Sequence, residues 1–164
     1  IIKDDIAALK RSLKLNDYPP VIFMGKLMPF ERVMGLHIRG DCFVLPHRGE
    51  GFGIPHAEAM SFGNPVITTA YGGNLEFMHS DNSYLVDYQL TPVSGMIFPN
   101  YHGRMSWAEP SIQQLKEKMR WVYEHQTEAR KMGQQGLETI KASLNREAIG
   151  QIMLTRLREI DKQL

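Results

Sequence analysis

Three short apolar runs constrain the fold more than anything else in the chain: Val21-Ile22-Phe23-Met24, Cys42-Phe43-Val44-Leu45 and Val66-Ile67-Thr68-Thr69. Each is continuous rather than alternating, a pattern that suits a strand covered on both faces, and stretches of helical character separate them. Strands alternating with helices predict a parallel α/β sheet joined by right-handed crossovers. The connecting helices are expected from Pro29 to about Arg39, with the proline in the first turn, and from Pro55 to Phe62, closed by Gly63-Asn64-Pro65. Ahead of them Ile2, Ile6, Leu9 and Leu13 recur at helical spacing, so a surface helix is expected from Ile2 to Leu15, stopped by Asn16-Asp17-Tyr18-Pro19-Pro20. Between Gly72 and Pro110 the richness in Gly, Pro, Asn and Ser predicts an irregular connection, interrupted by one strand at Tyr84–Tyr88. From Ser111 onward the apolar residues mark helical faces: Ile112, Leu115, Met119 and Val122, then Met132, Leu137 and Ile140. Ile149, Met153, Leu157 and Ile160 repeat the pattern in the closing segment from Arg146 to Leu164. The fold expected is a parallel Rossmann-like sheet flanked by helices, followed by a helical C-terminal tail.

Composition removes several classes of function. With 19 basic against 18 acidic residues, a net charge of +1, no general field draws the chain to nucleic acid or to an anionic membrane. No apolar run approaches the roughly 18 residues of a membrane span, and the N-terminus lacks the pattern of a signal peptide, so a cytoplasmic location is expected. Cys42 is the one cysteine, set inside an apolar run, which excludes an internal disulfide and reads as a small buried hydrophobe. His37, His47, His56 and His79 lack zinc-ligand spacing, and no Asp-x-Asp occurs, so neither a metal nor a bound cofactor is expected. Met24, Met28 and Met34 read as core fillers, and Lys116, Lys118, Arg120, Arg130 and Lys131, interspersed with acids, as a solvated face. The chain starts at Ile1, directly in a helical pattern, which suggests a piece of a longer protein.

The chemistry concentrates after the second run. Pro46-His47-Arg48-Gly49-Glu50-Gly51-Phe52-Gly53-Ile54 leads from a strand to the helix expected at Pro55, and loops at the carboxyl ends of parallel strands are where open α/β sheets bind ligands. Gly51 and Gly53 let a ligand approach the backbone, and the free N–H groups of the helix start favour an anion such as a diphosphate. Glu58, near the start of that helix, can accept both hydroxyl hydrogens of a ribose; Glu50, eight positions earlier, stands on the loop facing the group beyond the phosphates. Taken singly, an acid near a helix N-terminus is stabilised by the dipole alone, by about 0.3–1 kcal/mol, with no ligand needed.

The combination is more specific. Glu50-Gly51-Phe52-Gly53-Ile54-Pro55-x-x-Glu58-Ala59-Met60-x-x-Gly63-x-Pro65-Val66-Ile67 is similar to the E-x7-E signature of the family 4 glycosyltransferases, the retaining GT-B enzymes also called glycosyl transferases group 1. Tyr71-Gly72-Gly73-Asn74-Leu75-Glu76-Phe77 resembles that family's Gly-Gly segment, and Asn82-Ser83-Tyr84-Leu85-Val86 its following strand. Val21-Ile22-Phe23-Met24-Gly25 looks like the strand before its base-binding loop, and Trp107-Ala108-Glu109-Pro110 resembles a segment before its last helices, read as packing. The chain departs from the pattern at Ser83, where the family usually has glycine, and at His47-Arg48, where it has small or acidic residues.

The resemblance implies that residues 1–164 are part of a C-terminal, nucleotide-sugar-binding domain, without the acceptor domain and without the family's first phosphate-binding loops. It implies that Glu50 touches the transferred sugar near its anomeric centre, as the catalytic residue, and that Glu58 holds the ribose. The backbone of Gly51, Phe52, Gly53 and Ile54 would meet sugar hydroxyls and the diphosphate, and Gly25, Lys26 and Leu27 the nucleobase. The substrate implied is a UDP-, GDP- or ADP-sugar whose hexosyl group passes, with retention, to an acceptor glycan or lipid-linked sugar held by the absent domain. A full-length enzyme of this kind would be cytoplasmic or peripheral to the membrane, and these 164 residues alone are expected to transfer no sugar. A glycosidase pair of carboxylates is rejected, because Glu58 belongs to the nucleotide and not across a scissile bond. A GT-B-fold nucleotide-sugar epimerase or sugar phosphorylase, and a non-catalytic nucleotide-binding module, are the alternative readings.

Overall fold

The computed structural model describes residues 2–14, 17–93 and 105–163. Helix α1 spans Ile2–Leu13 and α2 spans Phe30–Arg39, with Pro29 at its N-cap. Strand β1 (Phe43–Leu45) leads into α3 (Ile54–Ser61), β2 (Val66–Thr69), a turn of 3-10 helix (Gly73–Glu76) and β3 (Tyr84–Val86). The three strands pair in parallel in the order β1-β2-β3, with Val44 opposite Ile67 and Thr68 opposite Leu85. Helices α4 (Ile112–Glu124), α5 (Gln126–Ser143) and α6 (Arg146–Asp161) complete the chain. The expected ends of the first and last helices at Leu15 and Leu164 lie outside the described residues.

The continuous apolar runs are explained by what lies on each side of the sheet. Phe43, Val66 and Leu85 point to one face and pack with Ala59 and Met60 of α3, Phe77, Met78, and Ile140 of α5. Val44, Ile67, Tyr84 and Val86 point to the other, against Leu115 and Val122 of α4 and Ala129. Both faces are covered, so neither parity of a strand position is free to be polar. Thr68 and Thr69 are fully buried yet satisfied: their hydroxyls donate to the carbonyls of Leu45 at 3.1 Å and His47 at 2.6 Å, tying β2 to the end of β1.

Two expectations need correction. Val21–Met24 forms no strand: among the described residues nothing pairs with its backbone, and Ile22 is 78% exposed. A strand exists only where a neighbour takes up its N–H and C=O groups, and β1 is bonded here to β2 alone. Pro19-Pro20 on one side and Pro29 on the other also bar the flanking residues from extending a ladder. Second, the stretch from Gly72 to Pro110 is more ordered than its composition suggests. The strand expected to run to Tyr88 stops at Val86, and β4 (Tyr88–Pro92) pairs antiparallel with β5 (Ser106–Pro110) in a separate two-stranded sheet, Thr91 opposite Trp107. The intervening residues 94–104 lie outside the described set.

Helix α5 reaches the sheet through glycines. A Cβ at Gly133 would sit 2.1 Å from the Gly63 carbonyl oxygen and 2.8 Å from the Pro65 nitrogen, so the helix backbone rests directly on the turn between α3 and β2. At Gly150 of α6, in contrast, a Cβ meets nothing within 4 Å. Gly133→Ala is therefore expected to destabilise the chain by about 2–4 kcal/mol, as overpacking against backbone does. Gly150→Ala should be neutral or stabilising by up to about 1 kcal/mol, from helix propensity alone. Urea denaturation of the two variants checks the contrast.

Candidate functional site

The loop from Pro46 to Gly53 leaves the carboxyl end of β1 and enters α3 at Ile54. Gly53 is its N-cap, at φ +97°, in the left-handed region; a Cβ there would lie 2.9 Å from Cβ of Asn74 and 3.1 Å from Nδ1 of His56. Glycine is required on both counts. The preceding turn is closed by Glu50, whose Oε1 accepts from the N–H of Gly53 at 3.0 Å and of Phe52 at a long 3.4 Å. The backbone of Glu50 is held as well: its carbonyl accepts from Gly73 N–H at 3.0 Å. That contact demands the Gly-Gly pair, since a Cβ at Gly73 would fall 1.8 Å from the Gly51 carbonyl oxygen and one at Gly72 2.7 Å from that of Glu50.

Downstream of the turn, Ile54 N–H and His56 N–H have no acceptor among the described residues, and Pro55 contributes none. Ile54 is exposed and His56 fully buried, so the Ile54 N–H is the accessible donor of the α3 start, where the partial positive end of the helix lies. Glu58, half-buried on the fifth residue of α3, has a carboxylate with no hydrogen-bond or ion-pair partner among the described residues. Glu50, Gly51, Phe52, Gly53, Ile54 and Glu58 are thus gathered on one loop and helix start. Gly25, Lys26 and Leu27 are not joined to it: they lie in the exposed stretch before α2, and no hydrogen bond or ion pair links them to the loop among the described residues.

Beneath the loop lie two imidazoles. His56 is fully buried, and its ring stands edge-on to that of His47 with centroids 5.4 Å apart. His56 Nε2 is 2.8 Å from the Thr68 hydroxyl. That hydroxyl has one hydrogen, directed at the Leu45 carbonyl, so it accepts from His56 Nε2–H and leaves Nδ1 bare on the loop side. Burial, reinforced by the neighbouring His47, pushes the His56 pKa down to about 4, against the weaker opposing pull of Glu50 and the Gly53 backbone. Burial lowers His47 too, again opposed by Glu50. Both rings are neutral at pH 7, and Glu50 therefore faces an uncharged floor. Cys42, whose thiol burial pushes up to about 12, is a packing residue and no nucleophile.

Sequence reasoning missed what braces the loop from outside. The Arg48 guanidinium forms a two-bonded ion pair with Glu109, Nε to Oε2 at 2.6 Å and Nη2 to Oε1 at 3.0 Å, and lies 4.4 Å from the centre of the Trp107 ring. The Arg48 carbonyl accepts from Ala108 N–H at 3.0 Å, so the loop adds one rung to the free edge of β5. Trp107 and Glu109 alternate with Ala108 and share a face of β5, with Arg48 between them. Exposed pairs are worth about 0–1 kcal/mol alone, but fork geometry and an aromatic platform, itself worth about 0.5–1 kcal/mol, raise this one above a lone surface bridge. The Trp-x-Glu spacing on a strand was a readable signal; its partner, 61 positions away in sequence, was not.

A groove of about 860 Å³ lies elsewhere, lined by Pro19, Lys116, Glu117, Met119, Arg120 and Tyr123. Its charged residues stand on the α4 surface, and the loop at the carboxyl end of β1 carries the recognisable chemistry.

The pH dependence of stability follows from the buried imidazoles. A histidine depressed in the folded state binds its proton more readily when unfolded, so stability is full above the unfolded value of 6.5 and is lost as pH falls through the window down to about 4. Between pH 7 and pH 5 the loss expected from His56 is about 1–2 kcal/mol. His56→Gln should flatten the dependence in urea titrations at the two pH values.

Residues 3–92 match the family described as glycosyl transferases group 1. Among solved structures the chain is similar to sucrose-phosphate synthase from Thermosynechococcus elongatus, at 23% identity and a TM-score of 0.67, over 98% of this chain and 35% of that one. It is also similar to the C-terminal domain of the glycosyl transferase group 1 family protein LpcC from Francisella tularensis, at 21% identity and a TM-score of 0.66, over 88% of this chain and 63% of that one. At these identities the likeness concerns the fold, and the chain spans about a third of the first structure and under two thirds of the second. No curated protein matches the chain. Among the described residues no helix is long and apolar enough to cross a membrane.

Proposed function

The chain belongs to the glycosyl transferases group 1 family, and from that premise we propose that it forms the donor-binding part of a nucleotide-sugar-dependent, retaining glycosyltransferase. The observation that carries the reading is the open N–H of exposed Ile54 at the start of α3, with Glu50 on the turn before it and the unpartnered Glu58 just beyond. A free backbone donor at the positive end of a helix suits a diphosphate, and suits it better as charge develops on the leaving group during transfer. Glu58 then takes the ribose hydroxyls and Glu50 the hexosyl group beyond the phosphates.

In this reading catalysis is electrostatic. The bond from the anomeric carbon to the diphosphate oxygen breaks as the helix-start dipole receives the departing charge, and the acceptor hydroxyl attacks on the face the diphosphate leaves, its proton passing to the departing diphosphate oxygen. Glu50, near two neutral imidazoles and tied to Gly53 N–H, orients the sugar and is no nucleophile. The Gly53 amide that Glu50 occupies is one of those expected to meet sugar hydroxyls, so donor binding exchanges that bond for one to the hexose. Gly25, Lys26 and Leu27 are proposed to meet the base, supported by their place in the family's sequence pattern alone. A UDP-, GDP- or ADP-sugar is the donor class, no metal or cofactor is invoked, and an acceptor glycan or lipid-linked sugar is bound by a further domain of a full-length, cytoplasmic or membrane-peripheral enzyme. These 164 residues by themselves are expected to transfer no sugar.

Calorimetric titration with UDP, GDP and ADP and with their glucose or mannose conjugates tests the division of labour. Glu58→Ala should weaken the matching nucleotide about 10- to 100-fold, the worth of a hydrogen-bonded charge. Glu50→Gln should leave the nucleotide unchanged and remove about 10-fold of the added affinity from the sugar. If both variants weakened nucleotide and nucleotide sugar alike, the assignment of separate roles would be wrong.

A further inference from the structure

We propose that Arg48, Trp107 and Glu109 are positioning residues: the β4–β5 hairpin clasps the loop at Arg48 and so fixes Glu50, two residues on, at the transferred sugar. The inference rests on the donor-site reading for its consequence, although the clasp itself is independent of any ligand. Three separate contacts converge on one loop residue. The guanidinium gives Glu109 two bonds, from Nε and Nη2, its Cζ lies 4.4 Å from the centre of the Trp107 ring, and the Arg48 carbonyl takes the Ala108 N–H. Arginine is required for this arrangement, because a lysine ammonium makes no fork and no flat stack.

What the clasp adds is a second anchor on the loop, opposite the first. On the inner side, Gly73 N–H holds the Glu50 carbonyl, and the Gly72-Gly73 backbone presses on Glu50 and Gly51. On the outer side, among the described residues, the exposed Arg48-Gly49 segment is held by the hairpin contacts; a Cβ at Gly49 or Gly51 would meet no atom within 4 Å. A loop pinned on one side swings about that side. Pinned on both, its intervening Glu50 carboxylate keeps one position relative to the α3 start, as a group aimed at a reacting centre must.

The hairpin is itself tied to the sheet, which makes it a brace and not a pendant flap. Ser111 N–H donates to the Asp87 carbonyl, Gln114 of α4 bonds both the backbone N–H and the carboxylate of Asp87, and Tyr71 meets Tyr88 edge-on at 5.0 Å. Buried Ala108 and Pro110 seat β5 against the body. The departure of Arg48 from the family pattern and the Trp-x-Glu of β5 thereby become one feature.

The test uses the chain as it stands, with Arg48→Met, which keeps the aliphatic stem, Glu109→Gln, and Arg48→Lys as the conservative control. Amide exchange by NMR in the free chain should be about 10-fold faster at Phe52 and Gly53 in the first two variants and unchanged at Ile67 in the buried β2. Arg48→Lys should not restore the slow exchange. Wild-type rates at Phe52 and Gly53, or equal acceleration at Ile67, would overturn the clasp. Titration with UDP, GDP, UDP-glucose and GDP-mannose then addresses its purpose. Arg48→Met should change the nucleotide Kd less than about two-fold and cut the extra affinity given by the sugar about 10-fold. Equal weakening of nucleotide and nucleotide sugar would reduce the clasp to a structural role and overturn the proposal. Failure of the wild-type chain to bind any of the four probes would contradict the donor-site reading, with the exchange result still deciding the clasp.

Discussion

The site depends on one close approach between backbones. The Gly72-Gly73 segment after β2 lies so near Glu50 and Gly51 that a single Cβ at Gly73 would overlap the Gly51 carbonyl, and this proximity lets Gly73 N–H reach the Glu50 carbonyl at 3.0 Å. Everything above it follows in order. With its backbone held, Glu50 turns its carboxylate onto the Phe52 and Gly53 amides; with those tied, Gly53 takes a left-handed conformation and starts α3; and with α3 started there, the amide of exposed Ile54 is left without an acceptor among the described residues. The parallel sheet supplies the platform, since β1 and β2 deliver the loop and the glycine pair to the same edge, cross-linked by the Thr68 and Thr69 hydroxyls.

The floor of the site is buried and neutral, because burial outweighs the pull of Glu50 on both imidazoles. Thr68 spends its one hydroxyl hydrogen on Leu45, which forces the His56 tautomer and leaves Nδ1 as a bare acceptor; His47 and Asn74 beside it also carry buried polar atoms without partners among the described residues. Burying such groups is costly, and it is tolerated where it holds a functional loop in place. A charged imidazole in this position would attract the Glu50 carboxylate downward, away from a ligand.

Much of this was legible in the sequence, and the rest failed for identifiable reasons. The runs at Phe43–Leu45 and Val66–Thr69, the helix start after Gly53 and the three closing helices declare themselves because both strand faces and one helix face are buried, and burial writes a period. Val21–Met24 has the same local pattern and forms no strand, because pairing is a property of the neighbour and not of the segment. The β4–β5 hairpin was hidden by Pro92 and Pro110 at its ends and by alternation too short to stand out from a loop. In the site, Glu50, Glu58 and the glycines were found by spacing within one motif. Arg48 was noted only as a departure, since its meaning lies in Trp107 and Glu109, brought alongside by tertiary structure.

The central claim is that the start of α3, with Glu50 and Glu58, receives the phosphates and sugar of a nucleotide-sugar donor. The most direct measurement is an NMR titration of the backbone amides with the nucleotide sugar that binds. The account predicts that the largest shifts fall on Gly51, Gly53 and Ile54, with that of Ile54 reproduced by the nucleotide alone and those of Gly51 and Gly53 requiring the sugar. Shifts concentrated instead around Met119, Arg120 and Tyr123 on α4, with the α3 start unmoved, would contradict it.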